Sequence, residues 1–151
     1  MMKPGSHWGY PFVQLLMDSN VDILLLPCAE SSFGGYDAGL KRSPHGIDYY
    51  SKLKDYENYC IKLAEQTASS VAEIVRADYN LVCILGVEHS PTCAINYMYS
   101  HKGTLHRQGL LISHLLDNLS QLNITPPCIG INRSYPKKSL TMLKNILSCA
   151  I

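Results

Sequence analysis

The sequence predicts one α/β domain in which short parallel strands alternate with helices. Three short aliphatic runs, at residues 21–26, 80–87 and 127–131, are typical of strands covered on both faces. Helical segments lie between them, and right-handed crossovers then favour a Rossmann-like parallel sheet with helices on both faces. A chain of 151 residues fits a single domain, residues 1–151. Such domains usually begin with a strand, so this sheet is expected to lack its first strand.

Helical periodicity supports the elements between the strands. Apolar residues recur at helical spacing over residues 8–18, 48–76, 111–122 and 136–147. The pattern over residues 48–76 is the most regular, and it predicts one long helix or two abutting ones.

Composition and charge exclude several classes of protein. Hydrophobic residues make up 46% of the chain and charged residues 17%, which is typical of a packed globular domain. A formal net charge of +1 gives no general attraction to nucleic acid. No apolar stretch approaches the roughly 20 residues that span a bilayer, and the amino terminus lacks the apolar run of an export signal. We therefore expect a cytoplasmic protein with no nucleic-acid or membrane partner.

The loops that follow the three predicted strands carry most of the reactive side chains. They begin with residues 27–30 (P-C-A-E), 88–93 (E-H-S-P-T-C) and 132–135 (N-R-S-Y). In an open parallel sheet all loops of this kind lie along one edge, where ligands bind. Residues far apart in the chain are therefore expected to share a site.

Each candidate residue has a functional and an ordinary interpretation. Cys28 and Cys93 follow strand ends, where thiols can bind a metal, although ordinary partly buried thiols are equally compatible with the spacing. Tyr97 can stack on a flat heterocycle or simply pack its loop. Arg133 can bind an anion at the amino end of a helix, or it can simply be a surface charge that keeps the protein soluble.

The remaining candidates are weaker. Core thiols are the simplest interpretation of the cysteines inside strands and helices, namely Cys60, Cys83 and Cys128. His89 beside Ser90 suggests a hydrolase pair, but adjacent side chains usually point apart and no G-x-S-x-G motif is present.

Taken together, four segments resemble a known family. Residues 27–30 (P-C-A-E), 39–44 (G-L-K-R-S-P), 59–60 (Y-C) and 86–93 (G-V-E-H-S-P-T-C) resemble the thiouracil desulfurase-related family of desulfidases. Members read P-C-P-E in the first loop and S-P-S/T-C-G in the second. The resemblance extends from about residue 10 to the final helix.

The resemblance implies removal of sulfur from a thiolated small molecule such as a thiouracil-like heterocycle. It also implies a [4Fe-4S] cluster held by three cysteine thiolates, with one iron open to sulfur. Carried over by motif, Cys28 and Cys93 would be cluster ligands. Glu30 would be a proton donor or water activator, and Ser90 would orient the substrate.

The chain departs from the family in ways that keep other functions open. The family's third cysteine lies in a loop after an amino-terminal strand, and this chain shows neither. Ala29 stands for the family's proline and Ala94 for its glycine. A third thiolate could come from Cys60, from a partner chain or from sequence missing at the amino terminus, or the cluster could have been lost.

Two alternatives follow from these departures. One is a non-catalytic small-molecule-binding or sulfur-sensing module that has lost the cluster. The other is a metal-free nucleoside-processing enzyme that uses Glu30 as its nucleophile. In each case the expected partners are a small molecule and, in a homodimer, a second copy of the chain.

Overall fold

The computed structural model describes residues 9–34 and 46–150. Its helices are α1 (Tyr10–Asp18), α2 (Ala29–Gly34), α3 (Ile47–Tyr50), α4 (Tyr56–Arg76), α5 (Leu110–Gln121) and α6 (Pro136–Ala150). Its strands are β1 (Ile84–Val87), β2 (Met98–Ser100), β3 (Gly103–Leu105) and β4 (Cys128–Ile131). The predicted motif at residues 39–44 lies outside the described residues.

A small parallel sheet lies at the centre of the fold. β1 and β4 pair in parallel from Ile84 opposite Cys128 to Val87 opposite Ile131, and α5 lies between them in the chain. β2 and β3 form a separate antiparallel hairpin. The predicted α/β class with parallel strands is therefore confirmed in this two-stranded form, whereas a larger Rossmann-like sheet remains a prediction.

Helices cover both faces of this sheet, as predicted. Successive strand residues point to opposite faces. Ile84 packs against the cluster formed by α4 and α5, which contains Leu115 and Leu119. Ile129 and Ile131 pack on the other face with Phe12 of α1 and the buried leucines of α6. The two-stranded sheet therefore has apolar packing on both faces.

The prediction of a strand at residues 21–26 is wrong for the described structure. This segment has no regular secondary structure, and Ile23, Leu24 and Leu25 are 49%, 55% and 84% exposed. Only Val21 packs against the core. An aliphatic run becomes a strand when a neighbouring strand accepts its backbone hydrogen bonds, and none among residues 9–34 and 46–150 does so.

The first two predicted loops contain secondary structure that the sequence did not predict, and the segment at residues 48–76 forms two helices. The first loop begins with α2, and the second contains the β2–β3 hairpin. The periodic segment at 48–76 forms two helices, α3 and α4, separated where Asp55 takes a left-handed backbone conformation with φ 66°. The two-helix alternative is therefore the correct one.

A buried carboxylate fixes the loop that follows β1. Glu88 is 1% exposed, and its oxygens accept hydrogen bonds from the Asn96 backbone N (3.2 Å), Asn96 Nδ2 (2.6 Å) and the Tyr97 backbone N (3.2 Å). Buried carboxylates are stable only when hydrogen-bonded in this way. Gly130 on β4 leaves the space that the carboxylate fills, because a Cβ there would overlap Glu88. The loop can therefore fold back across the ends of both strands.

None of the helices within residues 9–34 and 46–150 is long and apolar enough to cross a membrane.

We expect Gly130→Ala to destabilise the protein by about 2 kcal/mol or more, since the new methyl group must displace a hydrogen-bonded buried carboxylate. Urea denaturation measures the change. Gly9→Ala is the matched control, because no atom lies within 4 Å of a Cβ added there. Equal midpoints for the two variants would contradict this role of Gly130.

Candidate functional site

The Glu30 carboxylate joins two loops that are distant in the sequence. It lies in the first turn of α2, where it is partly buried. Its Oε1 accepts hydrogen bonds from Ser90 Oγ (3.3 Å) and Thr92 Oγ1 (3.0 Å). Its Oε2 accepts one from the Tyr50 hydroxyl at 3.2 Å. The structure thus brings Glu30 and Ser90, the two candidate catalytic residues, into direct contact.

Ser90 uses its full hydrogen-bonding capacity within the protein. Its Oγ donates to Glu30 and accepts from the backbone N–H groups of Thr92 (3.2 Å) and Cys93 (3.0 Å). A hydroxyl has one proton and two lone pairs, so none remains for a substrate. In this structure Ser90 therefore orients Glu30 and the Cys93 turn, and its expected role toward a substrate remains a prediction.

The contacts of His89 do not indicate a hydrolase site. Its ring meets the Tyr97 ring edge-on with the centroids 4.8 Å apart. Its backbone takes the left-handed conformation with φ 67°, which turns the chain between β1 and Ser90. The described contacts of Ser90 lead to Glu30, so they do not support a His89–Ser90 pair.

Cys28 and Cys93 lie in the same neighbourhood as Glu30. Cys28 immediately precedes α2 and is exposed, whereas Cys93 is partly buried in the turn after β1. Burial, followed by the charges of Glu30 and Cys28, raises the pKa of the Cys93 thiol to about 12. Such charge effects require proximity. Cys28 and Cys93 therefore lie near the same carboxylate, although residues 21–26 form no strand that would place Cys28 at a sheet edge.

The other four cysteines do not complete a three-thiol site. All six cysteines of the chain lie within the described residues and are free thiols. Cys83 precedes β1 and Cys128 begins β4, so both lie at the amino ends of the strands, and Cys149 lies near the end of α6.

Cys60 is the remaining candidate for a third thiol. It is fully buried in α4, where burial and, to a smaller extent, the charge of Glu30 raise the pKa of its thiol to about 11, so Cys60 lies near the same carboxylate. Across residues 9–34 and 46–150, no three His, Cys, Asp or Glu side chains are arranged to hold a metal ion. The donor set at this edge therefore does not fit the three-thiolate cluster that the resemblance implies.

The third loop positions Tyr97. Asn132 Nδ2 donates to the Tyr97 hydroxyl at 2.8 Å, while Asn132 Oδ1 accepts from the backbone N–H groups of Ser134 and Tyr135. The rings of His89 and His106 flank Tyr97 edge-on. Arg133 lies next to Asn132 in the chain and is exposed. Tyr97 is thus held by packing, and its proposed stacking on a ligand remains a prediction.

Sequence reasoning missed the hydroxyl donors that surround Glu30. Thr92 lies inside the 88–93 motif, which offered a signal for its position. Tyr50 and Tyr56 lie in the predicted helical segment 48–76, and nothing in the sequence indicates which polar group a buried tyrosine reaches.

We expect Glu30→Gln to accelerate alkylation of Cys93 about threefold or more at pH 8, since losing a nearby negative charge lowers the pKa of the thiol and increases the thiolate fraction. A raised pKa places the increase in rate at high pH, so the substitution should move that increase to lower pH. Mass spectrometry of the Cys93 peptide over a pH series measures the rates.

Glu73→Gln, at an exposed position of α4, is the control and should leave the Cys93 rate unchanged. An identical pH profile for Glu30→Gln and the native protein would show that Glu30 does not act on Cys93.

Comparison with known proteins gives one distant relative. The chain is 28% identical over 125 residues to Uncharacterized protein MJ0003 of Methanocaldococcus jannaschii, covering 83% of this chain and 68% of that protein. No family model matches the chain, and no solved structure matches it significantly. The chain is therefore similar over most of its length to an archaeal protein whose printed name states no function.

Proposed function

We propose that the edge site formed by Cys28, Glu30 and Cys93 binds a thiolated heterocycle of the thiouracil type and removes its sulfur. The observation that carries this proposal is that one carboxylate, held by three hydroxyl donors, lies beside two thiols. Carboxylates transfer protons, and thiols suit soft sulfur chemistry. The resemblance of the two motif-bearing loops to desulfidases supports the same reaction.

The proposed reaction is a hydrolysis that balances without an oxidant or reductant. Water attacks the thiocarbonyl carbon, a C–O bond forms, and the C–S bond breaks. The oxygen becomes the new carbonyl, and sulfur leaves as hydrogen sulfide. Glu30 accepts one proton from the attacking water and returns it to the sulfur. As the C–S bond breaks, the remaining hydroxyl proton leaves the new carbonyl oxygen and becomes the second proton of hydrogen sulfide. In this proposal Ser90 holds Glu30 in place, while Tyr97 and Arg133 contact the ring of the substrate.

The proposed reaction steps do not involve the [4Fe-4S] cluster that the resemblance implies. Bound iron would supply a Lewis acid for the sulfur atom. The proposed ligands Cys28 and Cys93 provide two thiolates, one fewer than the resemblance requires. The proposed steps therefore use only the side chains of this chain, and iron analysis addresses the cluster.

A second candidate is a cluster-free module that binds or senses a sulfur-containing small molecule. The two-thiol donor set favours it, because such a site can bind a soft ligand without turning it over. The nucleoside-processing alternative has less support. Its nucleophile would be Glu30, and no contact among the described residues favours that role over proton transfer.

We further propose a cytoplasmic location and a small-molecule partner, without nucleic acid or membrane. Six free thiols are typical of a reducing compartment, which supports the first point. The net charge of +1 supports the absence of nucleic acid. A homodimer would be one source of a third thiolate.

Sulfide release from 2-thiouracil tests the proposed reaction. We expect the anaerobically purified and reconstituted protein to release sulfide, and Glu30→Gln to slow release about 100-fold or more, the usual loss on removing an acid–base group. Glu73→Gln should retain the native rate. Binding of 2-thiouracil without sulfide release would support the second candidate, and absence of both would overturn the proposed function.

Iron and acid-labile sulfide analysis of the reconstituted protein tests the cluster separately. A cluster on this chain would contain about four irons, and Cys93→Ser would abolish it if Cys93 is a ligand, as the resemblance implies. Unchanged iron content in Cys93→Ser would refute this ligand assignment.

A further inference from the structure

Glu30 is the end of a chain of hydroxyl groups that begins in the core. Tyr56 and Thr92 are both 0% exposed, and the Tyr56 hydroxyl lies 2.8 Å from Thr92 Oγ1. Thr92 Oγ1 in turn lies 3.0 Å from Glu30 Oε1. Among the described residues, no buried side-chain nitrogen or oxygen lacks a hydrogen-bond partner. The chain of hydroxyls is therefore fully satisfied.

The direction of these hydrogen bonds follows from the number of protons. Thr92 Oγ1 donates its single hydroxyl proton to Glu30 Oε1. Thr92 must then accept from Tyr56. Burial raises the pKa of both Tyr50 and Tyr56 above the ordinary value, so both hydroxyls stay protonated and can donate. Every hydroxyl in the network thus directs its proton toward the carboxylate.

The aromatic rings that carry these hydroxyls are fixed by packing. The Tyr50 and Tyr56 ring centroids lie 4.9 Å apart, and Phe33 of α2 meets Tyr56 edge-on at 5.1 Å. Phe33 is on the same short helix as Glu30. One aromatic cluster therefore connects α2, α3 and α4 and sets the position of both donors relative to Glu30.

We propose that Tyr56 and Thr92, together with Tyr50, form a positioning network that holds Glu30 as a proton acceptor beside the two thiols. The inference rests on the proposed function for the reaction itself, and it decides between the two roles left open for Glu30. A carboxylate that accepts hydrogen bonds at both oxygens begins the reaction as the base that takes a proton from water. Returning that proton to sulfur is then its second step.

Hydroxyl-specific variants test the network without requiring any activity. Thr92→Val removes the hydroxyl and keeps the shape, whereas Thr92→Ser keeps the hydroxyl. We expect Thr92→Val to raise the rate of Cys93 alkylation at pH 8 about threefold, because a released carboxylate moves away from the thiol. Thr92→Ser should stay within about twofold of the native rate, since it restores the same donor.

A double substitution separates positioning from a local disturbance of the Cys93 turn. In the Glu30→Gln background, Thr92→Val should produce no further increase, because the charge that it releases is already gone. An equal increase in both backgrounds, or none in the native background, would overturn the network. Urea midpoints show which variants are folded.

Tyr56→Phe gives a second test if Thr92→Val does not fold. It removes the donor to Thr92 together with a contact to the Cys60 thiol, and we expect a smaller increase in the Cys93 rate that also disappears in Glu30→Gln. An unchanged rate in Tyr56→Phe would remove Tyr56 from the network. In a protein that releases sulfide, Thr92→Val should lower kcat and leave KM unchanged. Since alkylation needs no substrate, failure of the proposed reaction stays distinguishable from failure of the network.

Discussion

The hydrogen bonds from the Ser90 and Thr92 hydroxyls to the Glu30 carboxylate hold the candidate site together. They connect segments 60 and 62 residues apart, which no regular secondary structure joins. Cys28 immediately precedes the helix that carries Glu30, and Cys93 immediately follows Thr92. The same contact therefore places both thiols at one edge of the fold. Without it, the loop after residues 21–26 would have little to fix it, because that segment forms no strand.

Glu88 and Glu30 have different roles, as their burial and their hydrogen-bond donors indicate. Glu88 is fully buried and accepts N–H groups from Asn96 and Tyr97, which are parts of its own loop. Glu30 is partly exposed and accepts hydrogen bonds from three hydroxyls in two other segments, the loop at residues 88–93 and helix α3. The first shapes the loop, whereas the second lies where a ligand could reach it. Burial and partner type thus separate a structural carboxylate from a candidate reactive one.

The sequence predicted the parts of the molecule that follow from periodicity and from the geometry of parallel strands. It placed β4 and α6 well. It predicted Cys28 and Cys93 as neighbours at the end of two parallel strands, whereas the contacts of Glu30 with Ser90 and Thr92 are what join the two loops. It failed at residues 21–26, where composition indicates a buried strand but pairing depends on a neighbour. Of the donors to Glu30 it named only Ser90 as a site residue, and it missed Thr92 and Tyr50. The hydroxyls of Tyr50 and Tyr56 reach the site only through tertiary packing, which spacing does not encode.

The claim on which the site depends is that Cys28 and Cys93 are neighbours in the folded chain. A trivalent arsenical such as phenylarsine oxide bridges two thiols that lie close together, so it reports this arrangement directly. Mass spectrometry of the native folded protein should find one arsenical joining the Cys28 and Cys93 peptides, and replacing either cysteine with serine should abolish that bridge. A bridge that joins a different pair of cysteines, or no bridge in the folded protein, would contradict the account.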